Sequence, residues 1–163
     1  MTYAVSSVAG AQPIANTETT QKHVLGTVCR ANDPTYGEGE FIYLKGIGST
    51  VVGSIVNYDD SYTTALNTTA VSGAPRPLAV AMSANVASSY GWYQISGLAV
   101  VVKANSVSFA KGAPMGATAG LAVAAATGSV INAALVAVVA SAKSNVTSVA
   151  VMINRPHDPS DLS

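Results

Sequence analysis

From residue 40 onward the chain is a succession of short apolar runs closed by glycine or by Asn, Asp and Ser. That punctuation belongs to an all-β protein. Glu40–Lys45 alternates, with Phe41 and Tyr43 on one face and Ile42 and Leu44 on the other. The pattern predicts further strands over Thr50–Tyr58, Leu78–Met82, Gly91–Ser96, Leu98–Lys103, Leu121–Ala125, Ala133–Ala140 and Ser148–Asn154. Enrichment in Val, Ile and Tyr favours strand over helix. Alanines in 130–142 would suit a helix, but the β-branched Val130, Ile131, Val136, Val138 and Val139 argue for a strand. With Lys143-Ser144-Asn145 as the turn, Ala133–Asn154 reads as a hairpin.

Two of these runs are apolar on both faces. Leu98, Val100 and Val102 point one way and Ala99 and Val101 the other; Val149, Val151 and Ile153 likewise oppose Ala150 and Met152. A sheet with one solvated face alternates apolar with polar residues instead. Both faces are therefore expected to be covered, one by the core and one by a second sheet or a partner subunit. The fold expected is a compact antiparallel sandwich or small barrel over residues 36–156. An extended N-terminal arm (1–35) precedes it and a tail (157–163) follows. The arm is rich in Ser, Thr, Gln, Asn and Ala, has no helical period, and closes on the turn signal Ala31-Asn32-Asp33-Pro34. Such a segment is disordered when free, so a neighbouring chain is expected to pin it.

Composition sharpens this picture. Charged residues are 10% of the 163, against about 25% in ordinary soluble domains, and mean hydropathy is positive. Eight basic and eight acidic residues cancel, which leaves no field to attract nucleic acid. Residues 61–157 contain no Asp or Glu at all; their only charges are Arg76, Lys103, Lys111, Lys143 and Arg155. Hydrolytic, metal-dependent and acid/base chemistry leans on carboxylates, so this stretch is a poor place for an active site and a better one for surface against another protein. The apolar stretch Leu121–Ala142 is interrupted by Thr127, Gly128, Ser129 and Asn132 and has no basic flank. It is not expected to span the ~30 Å of a bilayer. Met1–Asn16 lacks the basic start and apolar run of a signal peptide.

Candidate chemistry is sparse. Cys29 is the one cysteine, so no internal disulfide or zinc spacing exists, and it reads as a small buried thiol. His23 (in Gln21-Lys22-His23) and His157 (beside Asp158) have no nucleophile motif nearby. Asp59-Asp60 lacks further calcium ligands and reads as a turn. Gly37-Glu38-Gly39 and Gly46-Ile47-Gly48 open no helix and are turn or bulge glycines. Asn67-Thr68-Thr69 and Asn145-Val146-Thr147 match glycosylation sequons by chance. Tyr90-Gly91-Trp92-Tyr93 is the densest aromatic cluster, a core or interface anchor more readily than a stacking platform for sugars or bases. An enzyme would have to draw on His23, Cys29, Asp59, Asp60 and His157; no catalytic residue, cofactor or metal is expected.

The block Gln21–Val28, continuing through Asp33-Pro34-Thr35-Tyr36-Gly37-Glu38-Gly39-Glu40-Phe41-Ile42-Tyr43-Leu44-Lys45-Gly46, resembles the capsid decoration (cement) proteins of tailed bacteriophages. Gly91-Trp92-Tyr93-Gln94-Ile95-Ser96-Gly97 and the Gly/Ala-rich C-terminal half are similar to them too. The resemblance runs from about Thr17 to Asn154 and lies in strand and turn sequence. It implies a β-fold bound to the outer capsid surface of a virion after synthesis in the host cytoplasm. It also implies trimers that bridge neighbouring major capsid proteins and stabilise the head, without nucleic-acid or membrane contact. Tyr3, Gln21, Lys22, His23, Tyr36, Tyr90, Trp92 and Tyr93 are the residues expected to touch capsid or subunit. The alternative is another virion-surface or tail-associated module, with glycan binding through an exposed Trp92 as its signature.

Overall fold

The computed structural model describes residues 4–5, 11–68, 76–105, 107–126, 129–136 and 147–158. Within them the chain is all-β and antiparallel, with twelve strands and no helix. Ten strands form one sheet and two form a small second one; the large sheet stays open and closes no barrel. The strands are β1 (Ala4–Val5), β2 (Thr17–Glu18), β3 (Val28–Asp33), β4 (Gly37–Lys45), β5 (Ile55–Tyr58) and β6 (Thr64–Leu66). They continue as β7 (Leu78–Ala81), β8 (Tyr90–Val102), β9 (Met115–Thr118), β10 (Leu121–Ala124), β11 (Asn132–Val136) and β12 (Ser148–His157).

β8 organises the rest. One edge of its N-terminal half pairs with β4, from Lys45↔Tyr90 to Glu40↔Ser96. Along the other edge come β2 at Tyr90 and Gly91, β7 at Tyr93 and Gln94, and β12 from Ser96 to Val102. The two runs predicted over 91–96 and 98–103 are thus one strand. Gly97 (φ +101°) sits between them, and the β4 ladder shifts register beside it. Glycine is needed there because a Cβ would lie 2.6 Å from the Glu38 carbonyl oxygen.

Period-two alternation divides the core. Phe41, Tyr43 and Trp92 pack with Cys29, Ala31, Met82 and Ile14 on one face; Ile42, Leu44, Tyr93, Ile95, Ala79, Ala81 and Val56 pack on the other. Past Gly97 a third cluster forms, in which Ala99, Val101, Val151 and Ile153 meet Met115, Ala117 and Ala122 of the β9–β10 hairpin. β11 and β12 pair antiparallel, Val136 opposite Val151, in the hairpin the sequence predicts; its Lys143-Ser144-Asn145 turn lies outside the described residues.

Two expectations change. Thr50–Tyr58 is strand only from Ile55, because residues 50–54 fold into turns closed by Thr50 Oγ1 on the Ile47 carbonyl and by Gly53 at φ +86°. Residues 28–33, assigned to the arm, form β3 and pair with β4 from Val28↔Ile42 to Asp33↔Gly37. Of the turn signal Ala31-Asn32-Asp33-Pro34, the first three residues are β3 strand, and the hairpin turn follows over Asp33–Gly37, with the Asp33 carboxylate accepting from the Thr35 and Tyr36 N–H groups. Residues 11–25 lie against the same sheet through Ile14 and Leu25.

Candidate functional site

Two of the aromatic residues singled out from sequence are interior. Trp92 and Tyr93 are both 0% exposed. They cannot touch a capsid, a subunit or a sugar, which corrects their assignment as contact residues. Their side chains also part company, because consecutive strand positions face opposite ways. Trp92 packs against Tyr43 (centroids 5.2 Å apart) and Tyr93 enters the cluster on the far side of the sheet. His23 closes the Trp92 side, edge-on to Tyr43 at 5.2 Å and 5.4 Å from Trp92, while its Nε2 meets the Gln12 Oε1 at 2.7 Å. Half-buried Tyr90 stacks on Tyr43. The Lys22 N–H donates to the Tyr43 hydroxyl, and the Gln21 side chain donates to the His23 carbonyl. Gln21, Lys22, His23 and Tyr90 thus form the rim of an aromatic lock that holds residues 11–25 on the sheet. Tyr36 stands apart in the β3–β4 turn, and Tyr3 lies outside the described residues.

His23, Asp59 and His157, three of the groups an enzyme would draw on, have hydrogen-bond partners in the chain. Asp59 Oδ1 accepts from Ser61 Oγ (2.7 Å) and from the N–H groups of Ser61 and Thr63 (both 3.0 Å). Those bonds, the Ser61 hydroxyl's first, hold its carboxyl below the usual range and make it a turn clasp. His157 Nδ1 lies 2.9 Å from the Asp158 carbonyl oxygen. Burial pushes the Asp158 carboxyl up, opposed by the Asn67 amide that donates to it, then by Arg76 and His157. No group of three His, Cys, Asp or Glu that could hold a metal occurs among the described residues. Cys29 is 1% exposed, and burial pushes its thiol up to about 11. A thiol reagent at about pH 8 is therefore expected to label Cys29 only after denaturant is added; stoichiometric labelling of the folded chain would contradict its placement.

A second site was not foreseen. Three hollows of about 400, 460 and 550 Å³ adjoin through shared lining, the first two beside the C-terminal end of β12 and the third beside the end of β5. In the first, Arg30 donates from Nε and Nη2 to Glu40 Oε1 (3.2 and 3.1 Å), and Arg155 donates from Nη2 to Glu40 Oε2 at 2.8 Å. Glu38 adds a longer contact to Arg30 at 3.7 Å. Arg155 has φ +48°, and it is shared with the second hollow, where Tyr58, Arg76, Pro77 and Pro156 form the walls. Tyr58, Arg76 and Pro77 continue into the third hollow beside Asp59, Asp60 and Tyr62. The Tyr58 and Tyr62 rings stack there, 6.4 Å apart and 21° from parallel. A Cβ on Gly26 would run into the Tyr62 ring at 2.4 Å, so glycine at 26 leaves the space the ring occupies. No periodicity announces such a groove. Its trace in the sequence is that Arg30, Arg76 and Arg155 are the only three arginines of the chain, and all three line it.

No protein-family model matches the chain, and comparison with curated proteins and with solved structures finds no match.

Proposed function

We propose that this chain is a structural virion protein. In this reading it binds the outer capsid surface of a tailed bacteriophage, associates with itself as a trimer, and bridges neighbouring major capsid proteins without catalysis. The observation that carries the reading is the outer face of β8 and β12 beyond Gly97. Register sets Leu98 beside Met152, Val100 beside Ala150 and Val102 beside Ser148. The opposite face, with Ala99, Val101, Val151 and Ile153, is filled core. The outer positions Leu98, Val100, Val102 and Ala150 are only half-buried, and Met152 is 50% exposed. An apolar strip without a charged side chain is costly to leave in water and serves a protein that spends its working life against others. The carboxylate-free stretch 61–157 carries both strands of this face. Many modest contacts repeated over a lattice would hold such a protein firmly through multivalency.

Purified heads should carry the chain in a fixed ratio to the major shell protein after washing; heads that lose it entirely, or never bear it, remove this function. Met152→Lys is expected to change the chain's own stability by no more than about 0.5 kcal/mol, because the side chain is half in water. The same substitution should abolish self-association and cut occupancy on heads. Sedimentation velocity and denaturant unfolding separate the two effects, and an unaffected oligomer means this face is not the interface.

A further inference from the structure

We propose that the groove along the end of β12 binds a neutral oligosaccharide. Charge is scarce in this chain, with 10% of residues charged. A groove that gathers every arginine, together with Glu38, Glu40, Asp59 and Asp60, is therefore a concentration of polar recognition groups. Those charges largely cancel within the groove, so no net field is left to draw in a polyanion. At its first hollow, planar donors and acceptors hold one another in place, Arg30 on Glu40 and Glu38 and Arg155 on Glu40. Arg155, 62% exposed in its side chain, is anchored to Glu40 by one Nη2 bond among the described residues, out of the five N–H donors a guanidinium has. Asp59 is fixed by its own turn. Sugar hydroxyls donate and accept at once, which suits fixed, mutually neutralised pairs of this kind.

The rest of the lining points the same way. Tyr58 is half-buried, Tyr62 is 37% exposed and Pro77 is exposed, so the lining offers aromatic and proline surface that suits the C–H face of a pyranose ring. A polypeptide adding as a strand would need a free run of backbone N–H and C=O groups. Here Pro77 and Pro156 have no N–H, Pro77 is already bridged to His157, and the Asp158 N–H is bonded to the Arg76 carbonyl. Binding has to go through side chains. The groove stands apart from the capsid reading, since it is tested on the isolated chain and capsid occupancy is tested on heads.

The full chain, labelled with nitrogen-15, is titrated separately with cellohexaose, maltohexaose and chitohexaose, and with heparin as a polyanion. The expected result is saturable amide shifts at residues 58–62, at Arg76 and at Asn154, Arg155 and His157 with at least one neutral hexasaccharide, at a Kd between about 10 μM and 1 mM. Raising the salt should leave that Kd unchanged within about two-fold, as no counterions are released. Tyr62→Ala and Arg155→Ala should each weaken binding at least about ten-fold while the thermal midpoint of each variant stays within a few degrees of the parent. Absence of saturable shifts with all three neutral sugars at about 10 mM overturns the proposal, as does binding of heparin alone or a shift map that leaves Tyr58 and Tyr62 untouched.

Discussion

Gly97→Ala is expected to destabilise the protein by about 3 kcal/mol or more, enough to remove much of the 5–15 kcal/mol typical of a domain. Two costs add. At φ +101° an L side chain is strained whatever the space around it. The new Cβ would also lie 2.6 Å from the Glu38 carbonyl oxygen and 3.2 Å from the Gly39 Cα. Both are backbone atoms of β4, which cannot swing aside as a side chain could. Relief would mean pulling β4 from β8 beside the register shift, next to the Glu40↔Ser96 pair. Urea unfolding followed by circular dichroism measures the loss. A change below about 1 kcal/mol would show that the strand crossing is looser than described.

Trp92→Ala is expected to cost about 4 kcal/mol and to lower the thermal midpoint by roughly ten degrees. The indole is fully buried and holds together Tyr43, His23 and, through them, residues 11–25. Without it, amide exchange over 11–27 should accelerate more than exchange in β12, which packs in a different cluster. Trp92→Phe should cost less than half as much. The buried indole N–H has no acceptor among the described residues, so its removal recovers part of a desolvation penalty. Equal losses for Ala and Phe would mean that the ring's volume is not what matters. Calorimetry serves here, because the chain's one tryptophan is the residue replaced.

How legible all this was depended on side-chain size. Strands β4, β7, β10 and β12 stand close to their expected positions because Phe, Ile, Tyr, Leu and Val give a strong alternating or continuous signal. β3 alternates exposed and buried without a break, yet its buried positions hold only Cys29, Ala31 and Asp33. Small and polar core residues leave a faint pattern, and that is why the strand was read as arm. β6 (Thr-Ala-Leu) and β9 (Met-Gly-Ala-Thr) are short and built largely of small or polar residues, so neither gives the apolar run that marks β7 and β10. The aromatic cluster was visible, but sequence spacing alone could not say which face was covered. Residues 11–25 supply the cover for Trp92. The groove was the least legible feature, because Arg30, Tyr58, Arg76 and Arg155 come from four separate regions that only the sheet brings together.

The three partners that share one edge of β8 also bear on how the chain reaches this state. They come from around residues 17, 80 and 150, so most pairings close long loops and folding is expected to be slow for a domain of this size. During synthesis the edge of Ser96–Val102 has no partner, and the cluster around Ala99 and Val101 lacks Val151 and Ile153, until β12 has been made. That half-finished sheet is an adhesive template for other chains. The nascent chain, more than the finished one, is therefore expected to gain from holding chaperones or from a low expression temperature.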